Sequence, residues 1–263
     1  MFDRRQIKAE ARSLTRSAQV SAFAVTGVLL ALLLAMRMVD TLVSGNTYES
    51  LFAAGLPGIF VNILVGLIAL VMEVGFFQYC LAVRQGTRAE LLTLFDGFSF
   101  VGKIILLTIQ QAFFIYLWSM LFVIPGIVAA YRYRFAFFNL CENPDLSPSE
   151  AIRMSKVQTN GAKMELFLLD LSFFGWLFLS FLPYGVLNAL AFNGIDIPLP
   201  ALAVTLLCGV LSSLVDLWRM PYQTLSELRY FDICKQASGV GAGINGPDAP
   251  LPLGDGDDQT RSF

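Results

Sequence analysis

The stretch "IPGIVAAYRYRFAFFNL", residues 124–140, puts Arg132 and Arg134 inside a segment otherwise apolar enough for the interior of a lipid bilayer. A central arginine costs about 2.5–3.5 kcal/mol on the translocon scale, so two nearly cancel the gain from the Ile, Val and Phe residues around them. Such a segment inserts only as the second arm of a hairpin with the helix before it. Ile124-Pro125-Gly126 suits the reversal, because Pro lacks the amide hydrogen that continues a helix and Gly permits the turn. A single long helix kinked at that point is the other reading of residues 104–141.

The short run Gly126–Cys141 is thus a sixth hydrophobic segment beside five longer ones: Gln19–Met36, Ile59–Cys80, Ile104–Ile124, Met164–Leu190 and Pro200–Leu217. Each of the five is long enough for a hydrocarbon core of about 30 Å. The bulk composition agrees: 56% of the 263 residues are hydrophobic and only 14% charged, which excludes an ordinary soluble domain. The 18 residues before the first run carry Asp3 and Glu10 and no small-x-small site follows, so the run reads as a signal anchor and not a cleavable leader.

Histidine is absent, which removes the commonest general base and metal ligand and the usual Ser-His and Cys-His nucleophile pairs. Cys80, Cys141, Cys208 and Cys234 have no C-x-x-C spacing and read as free buried thiols. No catalytic residue, metal site or cofactor is expected. A net charge of −2 and the lack of a basic stripe give no nucleic-acid partner.

Lys and Arg gather in alternate connecting segments: Arg4, Arg5, Lys8, Arg12 and Arg16; then Arg84, Arg88 and Lys103; then Arg153, Lys156 and Lys163; then Arg229 and Lys235. The opposite segments hold only Arg37, at a membrane edge. Positive-inside reasoning therefore places six crossings with both termini in the cytoplasm of a plasma-membrane protein.

Each basic segment also carries a helical pattern. Ile7, Ala11, Leu14 and Ala18 form one apolar stripe with the arginines away from it. Thr87-Arg88-Ala89-Glu90 and Ser147-Pro148-Ser149-Glu150 fit capping boxes, the second with Pro at the first helical position and Asn160-Gly161 as its stop. The expected fold is all-α: six transmembrane helices in three hairpins, each preceded by a cytoplasmic amphipathic helix. Its divisions are a cytoplasmic amphipathic helix over 1–17, a membrane domain over 18–235 and, because Gly, Pro and Asp dominate there, a disordered cytoplasmic tail over 236–263.

Three stretches, "LLTLFDGFSFVGK" from Leu91, the long block from Ile124 to Trp176, and "WRMPYQTLSELRYFD" ending at Asp232, resemble the successive signatures of an uncharacterised bacterial membrane-protein family, domain of unknown function 975. The resemblance implies a six-span integral membrane protein without an assigned activity, and it brings no catalytic residues to carry over.

At about 1.5 Å per residue from the cytoplasmic ends, Glu73, Gln110, Gln111, Arg134, Asp170 and Asp216 share a level roughly 10 Å inside, with Arg132 a little deeper. Residues two apart point to nearly opposite sides of a helix, so the arginines are expected to differ in role. Arg132 is the interior partner of Glu73 or Asp170, Arg134 snorkels to the interface, and Asp216 pairs within its own helix with Arg219 at i+3. Trp118, Trp176 and Trp218 are interfacial anchors. The functional expectation is a non-enzymatic scaffold that binds membrane lipids, or else a membrane-protein partner or second copy. The alternative is a small secondary transporter with Glu73, Arg132 and Asp170 along a polar route.

Overall fold

A computed structural model of the chain describes residues 4–17, 21–44, 55–87, 89–194 and 199–241. Among these residues every regular element is a helix: α1 (Arg4–Ser17), α2 (Ala22–Ser44), α3 (Gly55–Gln85), a 3-10 helix (Leu91–Phe100), α4 (Val101–Leu121), α5 (Val123–Arg132), α6 (Ala136–Glu142), α7 (Pro148–Gln158), α8 (Lys163–Phe192) and α9 (Ala201–Ser238). Five stretches are long and apolar enough to cross a membrane: Ala22–Val43, Gly58–Gln85, Leu91–Leu121, Lys163–Leu190 and Leu202–Ser238.

The sixth expected span is not one helix. The run breaks at Tyr133–Phe135, leaving α5 with 10 residues and α6 with 7. Ten helical residues reach about 15 Å, half of a hydrocarbon core. The reversal before it falls at Phe122, whose extended backbone (φ −159°, ψ 154°) separates α4 from α5, and not at Pro125. Pro125 instead occupies the first turn of α5, where its missing N–H costs no helical bond. The two helices form an antiparallel hairpin: Gln111 of α4 donates to the Tyr133 carbonyl at the far end of α5, and near the turn Gly126 lies against Ser119. A Cβ on Gly126 would come 2.0 Å from the Ser119 hydroxyl, so glycine sets how closely the arms approach.

Local signals upstream explain two further differences. Gly86 (φ +68°) ends α3, with the Thr87 N–H bonded to Ala82 O and the Gly86 N–H to Val83 O, a Schellman closure. The Thr87 hydroxyl also donates to Ala82 O, so it faces back toward α3 instead of capping the next helix. Arg88, the second residue of that expected box, lies outside the described residues. The segment that follows is a 3-10 helix pressed on α3 through two glycines. A Cβ on Gly75 would meet Leu94 O at 2.0 Å, and one on Gly97 would meet Val71 O at 2.6 Å. The box at Ser147 does form, with Ser147 Oγ accepting from Glu150 N–H and Ser147 N–H donating to Glu150 Oε2.

Large buried side chains gather at one end of the long helices. Phe76 and Tyr79 of α3, Phe135, Leu166 and Leu169 before and within α8, and Tyr230 and Phe231 of α9 are all fully buried. Burying each contributes about 1.5–3 kcal/mol. That end also carries Arg84, Lys163, Arg229 and Lys235. Arg84 donates to Asp232 and to Glu142, and Lys235 pairs with Glu142, which ties α3, α6 and α9 together. The opposite end is loose and apolar, with Leu42, Phe60 and Phe192 exposed. Apolar surface on this scale needs an apolar surrounding.

α9 packs against both α2 and α8. α1 lies along its basic half, with Ile7 and Ala11 buried and Arg229 donating to Glu10 at 2.7 Å. α9 continues to Ser238 and closes on Gly239 (φ +70°), so the chain stays ordered three residues past the expected boundary at 235. Residues 242–263 of the expected tail lie outside the described residues. All four cysteines are buried free thiols, as composition and spacing indicate.

Candidate functional site

The break at Tyr133–Phe135 frees backbone groups that must be paired where water is excluded. α7 and α4 supply the partners. The Ser155 hydroxyl donates to Arg132 O at 2.9 Å and accepts from Phe135 N–H at 3.1 Å. Gln111 Nε2 donates to Tyr133 O at 3.1 Å. Ser155 is fully buried, so one side chain satisfies both sides of the interruption.

The break also reverses the expected roles of the two arginines. Arg134 is the interior one: its Nη1 and Nη2 donate to the two oxygens of Asp170 at 2.8 and 2.9 Å, and Nη2 also donates to Glu227 Oε1 at 2.6 Å. The Tyr131 hydroxyl donates to Asp170 Oδ2 at 2.8 Å. Arg132 is exposed and makes no ion pair among the described residues. It stands near Lys156 of α7, whose ammonium is pushed below its usual range by burial and by the Arg132 charge. The expected directions assumed an unbroken helix, whereas the turn at Tyr133 swings Arg134 toward α8 and α9.

From Glu227 a line of polar side chains climbs α9. Gln223 Nε2 donates to Glu227 Oε1 at 3.0 Å, Arg219 Nη1 donates to Gln223 Oε1 at 2.7 Å, and Arg219 Nε donates to Asp216 Oδ1 at 2.8 Å. Ser180 of α8 donates to Asp216 Oδ2 at 2.9 Å, and Ser212 of α9 donates to Ser180 O at 2.7 Å. Asp170, Arg134, Asp216 and Arg219 thus belong to one connected network. Glu73 of α3 is exposed, within electrostatic range of Glu227 and Arg219, and has no side-chain hydrogen bond among the described residues. Gln110 lies apart, donating to Ser149 of α7. A route through Glu73, Arg132 and Asp170 is not assembled. Glu227 and Gln223 were missed, although the spacing 216, 219, 223, 227 marks one face of a helix.

Two adjoining cavities lie among α2, α8 and α9 and meet at Arg219. The first, about 440 Å³, is bordered on one side by α1 and lined by Arg12, Arg16, Phe23, Trp176, Trp218 and Arg219. The second, about 420 Å³, runs along α9 past Asp216 and Ser213 to Arg37, Tyr184 and Asn188, between leucines of α2 and α8. Arg12 lies over the Tyr222 ring at 5.6 Å and Arg37 over the Tyr184 ring at 5.5 Å. Arg12, Arg16 and Arg37 have no ion pair among the described residues, and Arg219 has its Nη2 without a hydrogen-bond partner there. Four guanidiniums line this groove against the carboxylate of Asp216 and that of Glu73, which lies within electrostatic range of Arg219, so the balance is positive.

No curated protein and no solved structure matches the chain. A family model described as "Protein of unknown function (DUF975)" does match, over residues 120–238, taking in the α5 break, α7, α8 and the whole of the α9 ladder. Residues 120–238 are therefore a domain of unknown function 975, the family that their sequence resembles.

Proposed function

We propose that the chain is an integral protein of the plasma membrane that binds anionic phospholipid and does no chemistry on it. The observation that carries this is the first cavity: Arg12, Arg16 and the free edge of Arg219 converge where aromatic walls lead into a leucine-lined groove. A phosphate headgroup and its acyl chains need that sequence of surfaces. Asp216, the carboxylate that lines the groove, is held by Arg219 and Ser180 and serves as part of its polar lining.

The Lys and Arg distribution supports cytoplasmic termini. α4 is long enough to cross but α5 is not; with both basic ends on one side the crossings must be even in number, so we assign the α4–α5 hairpin to enter and return on one side and α2, α3, α8 and α9 to cross. The full chain in nanodiscs of mixed phosphatidylcholine and phosphatidylglycerol tests the binding. Native mass spectrometry should show phosphatidylglycerol enriched on the released protein. Arg12→Ala with Arg16→Ala should weaken that enrichment about thirtyfold, at about 1 kcal/mol per arginine. Equal retention of the two lipids would reject the assignment.

A further inference from the structure

We infer that the groove is a headgroup path between leaflets, along which the protein equilibrates anionic phospholipid across the bilayer. The inference rests on the binding reading above and adds an activity to it. The two cavities share Arg219, so a headgroup held by Arg12 and Arg16 has a next station without leaving the groove. From Tyr222 to Gly209 the lined part of α9 covers 14 residues, about 20 Å of rise, and so most of a hydrocarbon core of about 30 Å.

Polar groups continue through that length. Beyond Arg219 come Ser213 of α9 and then Arg37, Tyr184 and Asn188 toward the other end, with Arg37 as the receiving guanidinium. Leu33, Leu34, Leu177 and Phe181 flank them, an apolar rim on which acyl chains stay in lipid while the headgroup moves along the polar floor. Moving a phosphate through bare hydrocarbon is costly, and spaced arginines and hydroxyls replace its hydration in steps. The Asp216–Arg219 pair sits where the cavities meet. Arg219 offsets the Asp216 charge and still presents Nη2, so the one carboxylate that lines the groove is paired where the anion passes.

The test uses full-length protein in phosphatidylcholine–phosphatidylglycerol vesicles with a fluorescent phosphatidylglycerol and a membrane-impermeant reductant. In protein-free vesicles only outer-leaflet label is bleached; with the protein, inner-leaflet label should be lost as well. Ser213→Phe and, separately, Asn188→Phe narrow the groove away from the first cavity. Each should slow transfer per bound phosphatidylglycerol about tenfold, the effect of about 1.4 kcal/mol on the barrier, with the bound lipid measured on the same variants by native mass spectrometry because acyl chains reach this part of the groove. Enrichment without accelerated transfer overturns the path and leaves the binding site standing. Transfer that neither variant slows, in proteins that elute as folded monodisperse particles, also overturns it. Loss of enrichment in the wild-type chain removes the binding reading itself.

Discussion

Arg134 holds two carboxylates and a tyrosine hydroxyl around one guanidinium, and its removal leaves Asp170 and Glu227 facing each other. An unpaired, mostly buried charge typically costs about 3–5 kcal/mol, and the quarter of the Arg134 side chain that remains exposed (26%) puts the expected loss near the lower bound, about 3 kcal/mol. Arg134→Ala should therefore unfold far more readily in a detergent denaturation series, with Asp170→Asn in the same chain recovering part of the loss. Arg134→Lys should not substitute, because an ammonium cannot reproduce the two-pronged contact with Asp170. Arg132→Ala should stay within about 0.5 kcal/mol of the parent. Equal effects at 132 and 134 would contradict this division. The sequence shows that the two arginines must differ, since adjacent-but-one residues diverge on a helix. Which one turns inward depends on a break supported by Ser155, Thr159 and Gln111, residues distant from it in the chain.

Among the elements, α7 is the one most fully written in its own residues. Ser147→Ala removes an N-cap and should lower the local opening free energy of α7 by about 0.5–2 kcal/mol in hydrogen exchange. The Ser147 hydroxyl and backbone N–H hold Glu150 below the ordinary glutamate value of 4.5. Because the folded state favours the ionised form, the capping contribution is present above that value and fades as pH falls through the lowered one. α7 protection should drop over that acid interval, after correction for intrinsic exchange, and the drop should be smaller in Ser147→Ala, which keeps only the backbone bond to Glu150; an identical pH profile in both proteins would dismiss the effect. The 3-10 helix was not legible in this way, since its tight path follows from Gly75 and Gly97 meeting the facing backbone, a contact no local pattern encodes. The hairpin was legible only in part: Pro125 and Gly126 signal a reversal, but Gly126 serves close packing on Ser119 and the chain turns earlier, at Phe122. If α5 does not cross, Phe122→Cys should resist an impermeant thiol reagent applied outside intact cells, while Asn193→Cys, in the α8–α9 turn, should react. Labelling at both positions would restore the sixth crossing.

At the scale of the whole molecule, a packed, ion-paired end joins a loose apolar end, and the cationic groove begins at their junction, where α1 meets α9. The apolar runs and basic segments foretold the all-helical architecture, because membrane burial demands long uncharged helices and those leave a plain record in composition. The groove left almost none: Arg12, Arg16, Arg37 and Arg219 are scattered through 208 positions of sequence and come together only when α1, α2 and α9 pack. Their convergence is also what gives lipid binding its physical basis, since isolated arginines at a membrane edge attract anionic lipid without holding it in one place. An electron cryomicroscopy map of the full chain in phosphatidylglycerol nanodiscs examines this directly. Headgroup density within hydrogen-bonding reach of Arg12, Arg16 and Arg219, with acyl density along the leucines of α2 and α8, is the expected result. Ordered lipid elsewhere on the protein, with the Arg219 cavity closed or filled by a neighbouring side chain, would contradict it.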